Sequence, residues 1–362
     1  MDQATNSRFL WLDFLRGAAA IGVLSFHVVA PTSFTQISGF YVLVDFFFVL
    51  SGFVLWPSVP HERKTLARDG SRFMLQRFIR LWPMLIFALL VSNFIYFAQQ
   101  YWDHSHHLFS NPDSNHHWTL LLAALAFLQV IVSQSMFMVV PLWSLSAEWL
   151  TNIVYIPLTA IKGNKGLLRG IFFGYALLNI GLTMDGGWIS FIGPIRGAEA
   201  LGRAFIGFGI GLLLRKNLDR LKKFQHPLLL LISGYGVYWS LFSNQHFGYS
   251  NCYFVVFIYA FFILQVVRYE INPRSAIGKF ARSLGKYSYG IYVYHQIMID
   301  LTKYVVKMPR VDSLPNKYLH YFIEKSSVVC FLAIAFTFIT QKIFEGPIQR
   351  LAKRKIRLLS EV

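Results

Sequence analysis

Apolar stretches of about 20 residues recur from one end of this chain to the other, and they constrain the fold more than any local motif does. A stretch of that length crosses a bilayer as an α-helix, because a helix satisfies its own backbone hydrogen bonds where no water is available. Composition agrees: 55% of the 362 residues are hydrophobic and 14% are charged, whereas a soluble domain carries about 25% charged residues. The expected fold is all-α, a polytopic membrane helix bundle forming a single domain over residues 1–362, with no appended soluble domain. Abundant aromatics exclude disorder, and two cysteines, Cys252 and Cys330, are too few for a disulfide-stapled secreted module.

The formal charge of +17 raises the question of nucleic acid, and the placement of the basic residues answers it. Asp13 and Arg16 interrupt the first apolar run, residues 10–30, which therefore reads as a retained helix and not as a cleaved signal. The loop after it lacks Lys and Arg, whereas the one after the second run (41–57) carries Arg63, Lys64, Arg68, Arg72, Arg77 and Arg80 and is cytoplasmic by the positive-inside rule. Helix 3 then covers residues 82–101, and a His-rich loop from Trp102 to Trp118 faces outside. Residues 119–132 are short for a span and read as re-entrant or interfacial, since counting them would put Lys162, Lys165 and Arg169 outside. The remaining spans fall at 142–161, 170–184, 199–214, 227–243, 252–267, 287–306 and 318–343, about ten in all, with both termini cytoplasmic. Most Lys and Arg then lie inside, so the charge reads as topology and contact with anionic lipids, and no nucleic-acid partner is expected.

Ionisable side chains within spans are costly, face a cavity or one another, and mark a substrate path. Arg16 and His27 are 11 residues apart, close to three helical turns, so they share one face about 16 Å apart along the axis. Asp13 lies one turn from Arg16, close enough to pair with it. A lone His in a span is commonly a core residue satisfied by a carbonyl, but Asp45 on helix 2 and Glu148 on helix 4 should lie at comparable depth. Either carboxylate could fix the imidazole tautomer and stabilise imidazolium, making His27 a base.

On the cytoplasmic side, Arg72, Arg77 and Arg80 lie on a basic amphipathic stretch leading into helix 3. They either snorkel to lipid headgroups or form a phosphate cradle for a nucleotide-linked donor, which Arg16 would extend inward. Tyr287, Tyr289, Tyr292, Tyr294 and His295 give helix 9 a polar-tipped aromatic face suited to lining a cavity. Glu345 sits at the inner end of helix 10, where a salt bridge to the basic tail is its ordinary role. His104, His106, His107, His116 and His117 lack the spacing of a metal site, and no metal is expected. Walker, dinucleotide, HExxH and nucleophile-elbow motifs are absent.

This pattern resembles the acyltransferase-3 family of integral-membrane acyltransferases, which typically O-acetylate bacterial surface glycans. The similarity covers almost the whole chain. Leu12 to Arg16 continuing to His27 resembles the family's opening signature, and Asp45 to Phe53, including Ser51, its second-helix motif. Arg77, Arg80 and Pro83 are similar to its basic approach to helix 3. Trp143, Ser144 and Glu148 match its Trp-Ser-Leu-x-x-Glu segment, Tyr287 to His295 its Tyr-Ser-Tyr-x-x-Tyr-x-x-His helix, and Glu345 to Pro347 its Glu-x-Pro ending. Trp149 departs from the family, which often has a second acidic residue there.

The resemblance implies acetyl-CoA or another acyl-CoA as donor, a glycan or glycolipid acceptor, and a multi-pass protein of the bacterial inner membrane. It implies His27 as the essential catalytic residue and Arg16 as a donor-binding or positioning residue. Asp45 and Glu148 then join His27 as catalytic candidates, and Arg72, Arg77 and Arg80 join Arg16 at acyl-CoA. Asp13, Ser51, Trp143, Ser144, Tyr289, Tyr292, His295 and Glu345 line the cavity or meet the acceptor. Such an enzyme would need a cavity open to both sides of the membrane. Transfer is expected to be direct or to pass through an acyl-imidazole. The alternative is a membrane transporter using the same charges as a solute or proton pathway, although no internal repeat is visible.

Overall fold

The computed structural model of the chain describes residues 9–29, 38–102, 117–132, 139–184, 197–242, 250–302 and 315–352. Among these residues the secondary structure is helical and contains no strand. The α-helices are α1 (Leu10–Val29), α2 (Leu43–Leu55), α3 (Leu66–Trp102), α4 (His117–Leu125), α5 (Gln129–Val132) and α6 (Leu142–Met184). They continue with α7 (Gly197–Lys216), α8 (Leu218–Leu221), α9 (Pro227–Phe242), α10 (Ser250–Val266), α11 (Ala276–Thr302) and α12 (Pro315–Thr340). Among the described residues six helical stretches are long and apolar enough to cross a membrane, and α9 and α10 are shorter apolar helices. Large hydrophobic side chains such as Leu90, Phe94, Phe172, Leu231 and Phe331 stand exposed on the outer surface of the bundle, as a hydrocarbon solvent requires. The protein is a helical membrane bundle.

The expected segments map onto these elements. The long α6 is two antiparallel arms, because Gly163 breaks it at φ 55°, ψ −130°, a left-handed conformation in which a Cβ would be strained. The reversal brings Gly170 against Tyr155, where a Cβ would stand 2.6 Å from the ring. Residues 162–169 thus form a tight helical turn and not an open loop.

Residues 119–132 fall in α4 and α5, of nine and four residues, neither long enough to cross. The break between them centres on Phe127, at φ 56°. Ser146 of α6 repairs it by donating to the Phe127 carbonyl at 2.7 Å and accepting from the Val130 N–H at 3.1 Å. Irregular backbone among apolar helices persists only where such partners exist.

Two boundaries differ from expectation. Helix α3 starts at Leu66 and runs unbroken through Pro83, so Arg68, Arg72, Arg77 and Arg80 lie on the helix itself. Helix α11 starts at Ala276 and not near 287, because Lys279, Arg282 and Lys286 hide its first turns from a hydropathy reading. In the core, α1 packs against α2, α11 and α12, while α7 packs against α2 and α6. The α2–α7 contact is backbone to backbone: a Cβ on Gly52 would strike the Phe208 carbonyl, and one on Gly211 the Val49 carbonyl.

Candidate active site

Helices α1 and α11 approach closely at Gly285, where a Cβ would lie 2.6 Å from the Asp13 Cβ. This proximity lets Arg16 bridge the two helices. Its Nε donates to Ser288 Oγ at 3.0 Å, and its Nη2 donates to the Gly285 carbonyl at 2.6 Å and to the Asp13 carboxylate at 3.1 Å. The Asp13–Arg16 pair expected from one-turn spacing is therefore present, with Asp13 buried.

Arg16 lines two adjoining cavities. One, the narrower, is also lined by Ser51, Arg77, Arg80, Ser144, Glu148, Tyr289 and Tyr292. The other, wider one is lined by Asp13, Phe53, Pro57, Ser58, Arg80 and Arg215. They share Arg16, Leu50, Val54 and Arg80, and so form one path whose cationic lining is Arg16, Arg77, Arg80 and Arg215. Arg72 is not part of it: one and a half turns from Arg77, it is exposed and borders a separate recess with His61, Glu62 and Asp69.

Glu148 is the acid of the first cavity. Its Oε1 accepts from Ser51 Oγ on α2 and from Arg77 Nη2 on α3, which ties three helices together. Arg77 is buried, and its Nε has no hydrogen-bond partner among the described residues. Tyr289 lines the same space and donates from its hydroxyl to the Leu81 carbonyl at 3.1 Å. Glu345 sits in a π-helical turn, Gln341–Glu345, and accepts from Gln349 Nε2 at 2.8 Å. Its described partner is therefore an amide and not a cation of the tail, although Arg80 and Lys286 act on its charge.

Asp45 does not pair with His27. Both of its oxygens face Arg203 of α7, at 3.0 Å from Nε and 2.8 Å from Nη2, with neither side chain exposed. Trp143 belongs to this cluster and not to the cavity wall, its ring lying 5.3 Å from the Arg203 guanidinium carbon. Sequence reasoning missed Arg203 as a partner, though an arginine within a span signals a buried carboxylate. Nothing in the sequence marked Ser288 as a ligand of Arg16.

His27 meets His295 instead: the two rings stack at 5.0 Å with 28° between planes. His295 is fully buried and its Nδ1–H donates to the Tyr292 carbonyl at 2.7 Å. Neither imidazole is among the residues lining these two cavities; Tyr292, which lines the first, has its ring 6.0 Å from that of His295. Among the described residues no group of three or more His, Cys, Asp or Glu could hold a metal ion, and residues 104–116 of the His-rich loop lie outside them.

A family profile described as an acyltransferase domain matches residues 9–341. A Rhizobium radiobacter protein named Protein 2 in picA locus is similar to part of the chain: 31% identical over 166 residues, 43% of this chain and 84% of that protein. No solved structure matches.

Proposed function

The chain belongs to the acyltransferase-3 family, and from that premise we propose that it moves an acyl group, acetyl by preference, from cytoplasmic acyl-CoA to a hydroxyl of an extracytoplasmic glycan or glycolipid. The observation that carries this reading is Arg16: fixed by Ser288 and Gly285, it sits where the two cavities join, on the helix that bears His27 about three turns further on.

Arg80 and Arg215 at the wider cavity, with Arg16 behind them, suit the phosphates of a coenzyme A nucleotide, since guanidinium groups bind phosphate through paired donors. The narrower cavity is largely apolar, with Arg77, Ser51 and Ser144 as polar stations, which suits a pantetheine arm. His27 then acts as general base. It takes the proton of the acceptor hydroxyl, the oxygen bonds to the thioester carbonyl carbon, the C–S bond breaks, and the coenzyme A thiolate receives the proton. Asp45 serves as a positioning residue through Arg203, while Glu148 holds Arg77 and Ser51 in the cavity wall.

The test is transfer of labelled acetyl from acetyl-CoA to endogenous glycan in membranes containing the protein, with His27→Ala compared at matched expression. Labelling that disappears in the variant is the expected result. Absence of labelling by the unaltered protein, across several acyl-CoA donors and with cell wall extract as acceptor, would favour the transporter.

A further inference from the structure

Tyr292 occupies a place that the transfer reaction does not explain. It lines the narrower cavity, whereas His295, three residues on, and His27, stacked on His295, do not. Its ring lies 6.0 Å from the His295 ring and meets Phe47 edge-on at 5.4 Å. Its hydroxyl is 2.6 Å from Ser144 Oγ. Ser144 spends its own proton on the Pro141 carbonyl at 3.1 Å, so Tyr292 is the donor in that contact. The result is a chain of hydroxyls, Tyr292 to Ser144 to a backbone carbonyl, that latches α11 to the start of α6.

We propose that Tyr292, latched to Ser144, is a movable partition between the donor cavity and the His27 imidazole, and that its opening admits the thioester to the base. The sides named here rest on the acyltransferase reading above. A passage open to both membrane faces would let ions cross and would bring outer water to a bound thioester. Without the partition, a water oxygen bonds to the acyl carbon, the C–S bond breaks, one of the water's protons reaches the thiolate by way of His27 and the other is released to solvent, giving free carboxylate and coenzyme A. The construction fits a partition that moves: a neutral hydroxyl pair holds it, and Ser144 has the Pro141 carbonyl as a partner independent of Tyr292. His295 stays attached to the Tyr292 carbonyl, and its Nε2, buried and without a partner among the described residues, is left available on the far side.

The test reads the partition directly. In a Cys252→Ala, Cys330→Ala background, Val44→Cys places a thiol in the cavity wall, and a membrane-impermeant thiol reagent is applied from each face in turn. With Tyr292 intact, labelling is expected from one face only. Tyr292→Phe, which keeps the ring and removes the latch, should raise labelling from the opposite face by about ten-fold, and Tyr292→Ala by more. Labelling from both faces with Tyr292 intact, or one-sided labelling that neither variant changes, would overturn the proposal. This readout needs no acyl transfer, so its failure is separate from failure of the acyltransferase reading, which the His27→Ala comparison tests. In membranes that do transfer label, Tyr292→Phe should also raise labelled acetate released per acetyl transferred; an unchanged ratio counts against the partition.

Discussion

Asp45 and Arg203, 158 positions apart in the chain, meet as a fully buried bidentate pair, with Oδ1 at 3.0 Å from Nε and Oδ2 at 2.8 Å from Nη2. Aromatic rings of Trp143 and Tyr41 lie 5.3 and 5.8 Å from the guanidinium carbon. The pair joins α2 to α7 along the face where their backbones already touch.

Removing one member strands the other. A buried charge left without its partner costs about 3–5 kcal/mol, so Asp45→Asn and Arg203→Met should each lower the apparent melting temperature of detergent-solubilised protein by many degrees. Arg203→Lys should not rescue, because an ammonium cannot reproduce the two-pronged geometry. The double variant Asp45→Leu, Arg203→Met should recover part of the loss. Single variants that melt with the unaltered protein would contradict the structural role.

His27 and Arg16 should separate kinetically. Loss of a general base lowers kcat by about 10²- to 10⁴-fold, so His27→Ala is expected to do so with the donor KM nearly unchanged. Arg16→Ala should mainly raise the donor KM, because its guanidinium faces the cavity well short of the imidazole. Steady-state kinetics over a range of acetyl-CoA concentrations tests this, and identical kcat and KM changes in the two variants would refute separate roles.

Gly285 controls how closely α11 lies on α1. Gly285→Ala puts a methyl group 2.6 Å from the Asp13 Cβ, which pushes the helices apart and pulls the Gly285 carbonyl and Ser288 away from Arg16. Such overpacking typically costs about 1–3 kcal/mol. A raised donor KM should accompany the lower melting temperature, whereas Ser283→Ala, an exposed position on the same helix, should change neither.

His61 makes stability depend on pH. Its ring lies 4.3 Å from that of Trp56, and burial with the nearby Lys216 charge holds its pKa below the usual 6.5. The folded protein therefore binds fewer protons here than the unfolded chain. Stability from this group is complete above the unfolded pKa and is lost as pH falls through that value towards the folded one. Melting temperatures measured from about pH 7 down to about pH 5 should fall less steeply for His61→Phe than for the unaltered protein. Equal slopes would exclude His61 as the source.

Much of this protein follows from sequence because a bilayer leaves few choices. Apolar length made the spans legible, the shortness of residues 119–132 marked them as too short for a span, and one-turn spacing predicted the Asp13–Arg16 pair. Those inferences use distances along one helix, which the backbone repeat sets. The contacts between helices were not legible in this way. Whether Asp45 turns to His27 or to Arg203, whether Arg72 joins Arg77, and whether His27 meets a carboxylate or His295 all depend on the rotation and offset of packed helices. Those quantities are set by close approaches such as Gly52 on Phe208 and Gly285 on Asp13, and by the need of each buried charge for a partner. Spacing along the chain determined which groups share a helix face, and only the packing of one helix on another decided which of them meet.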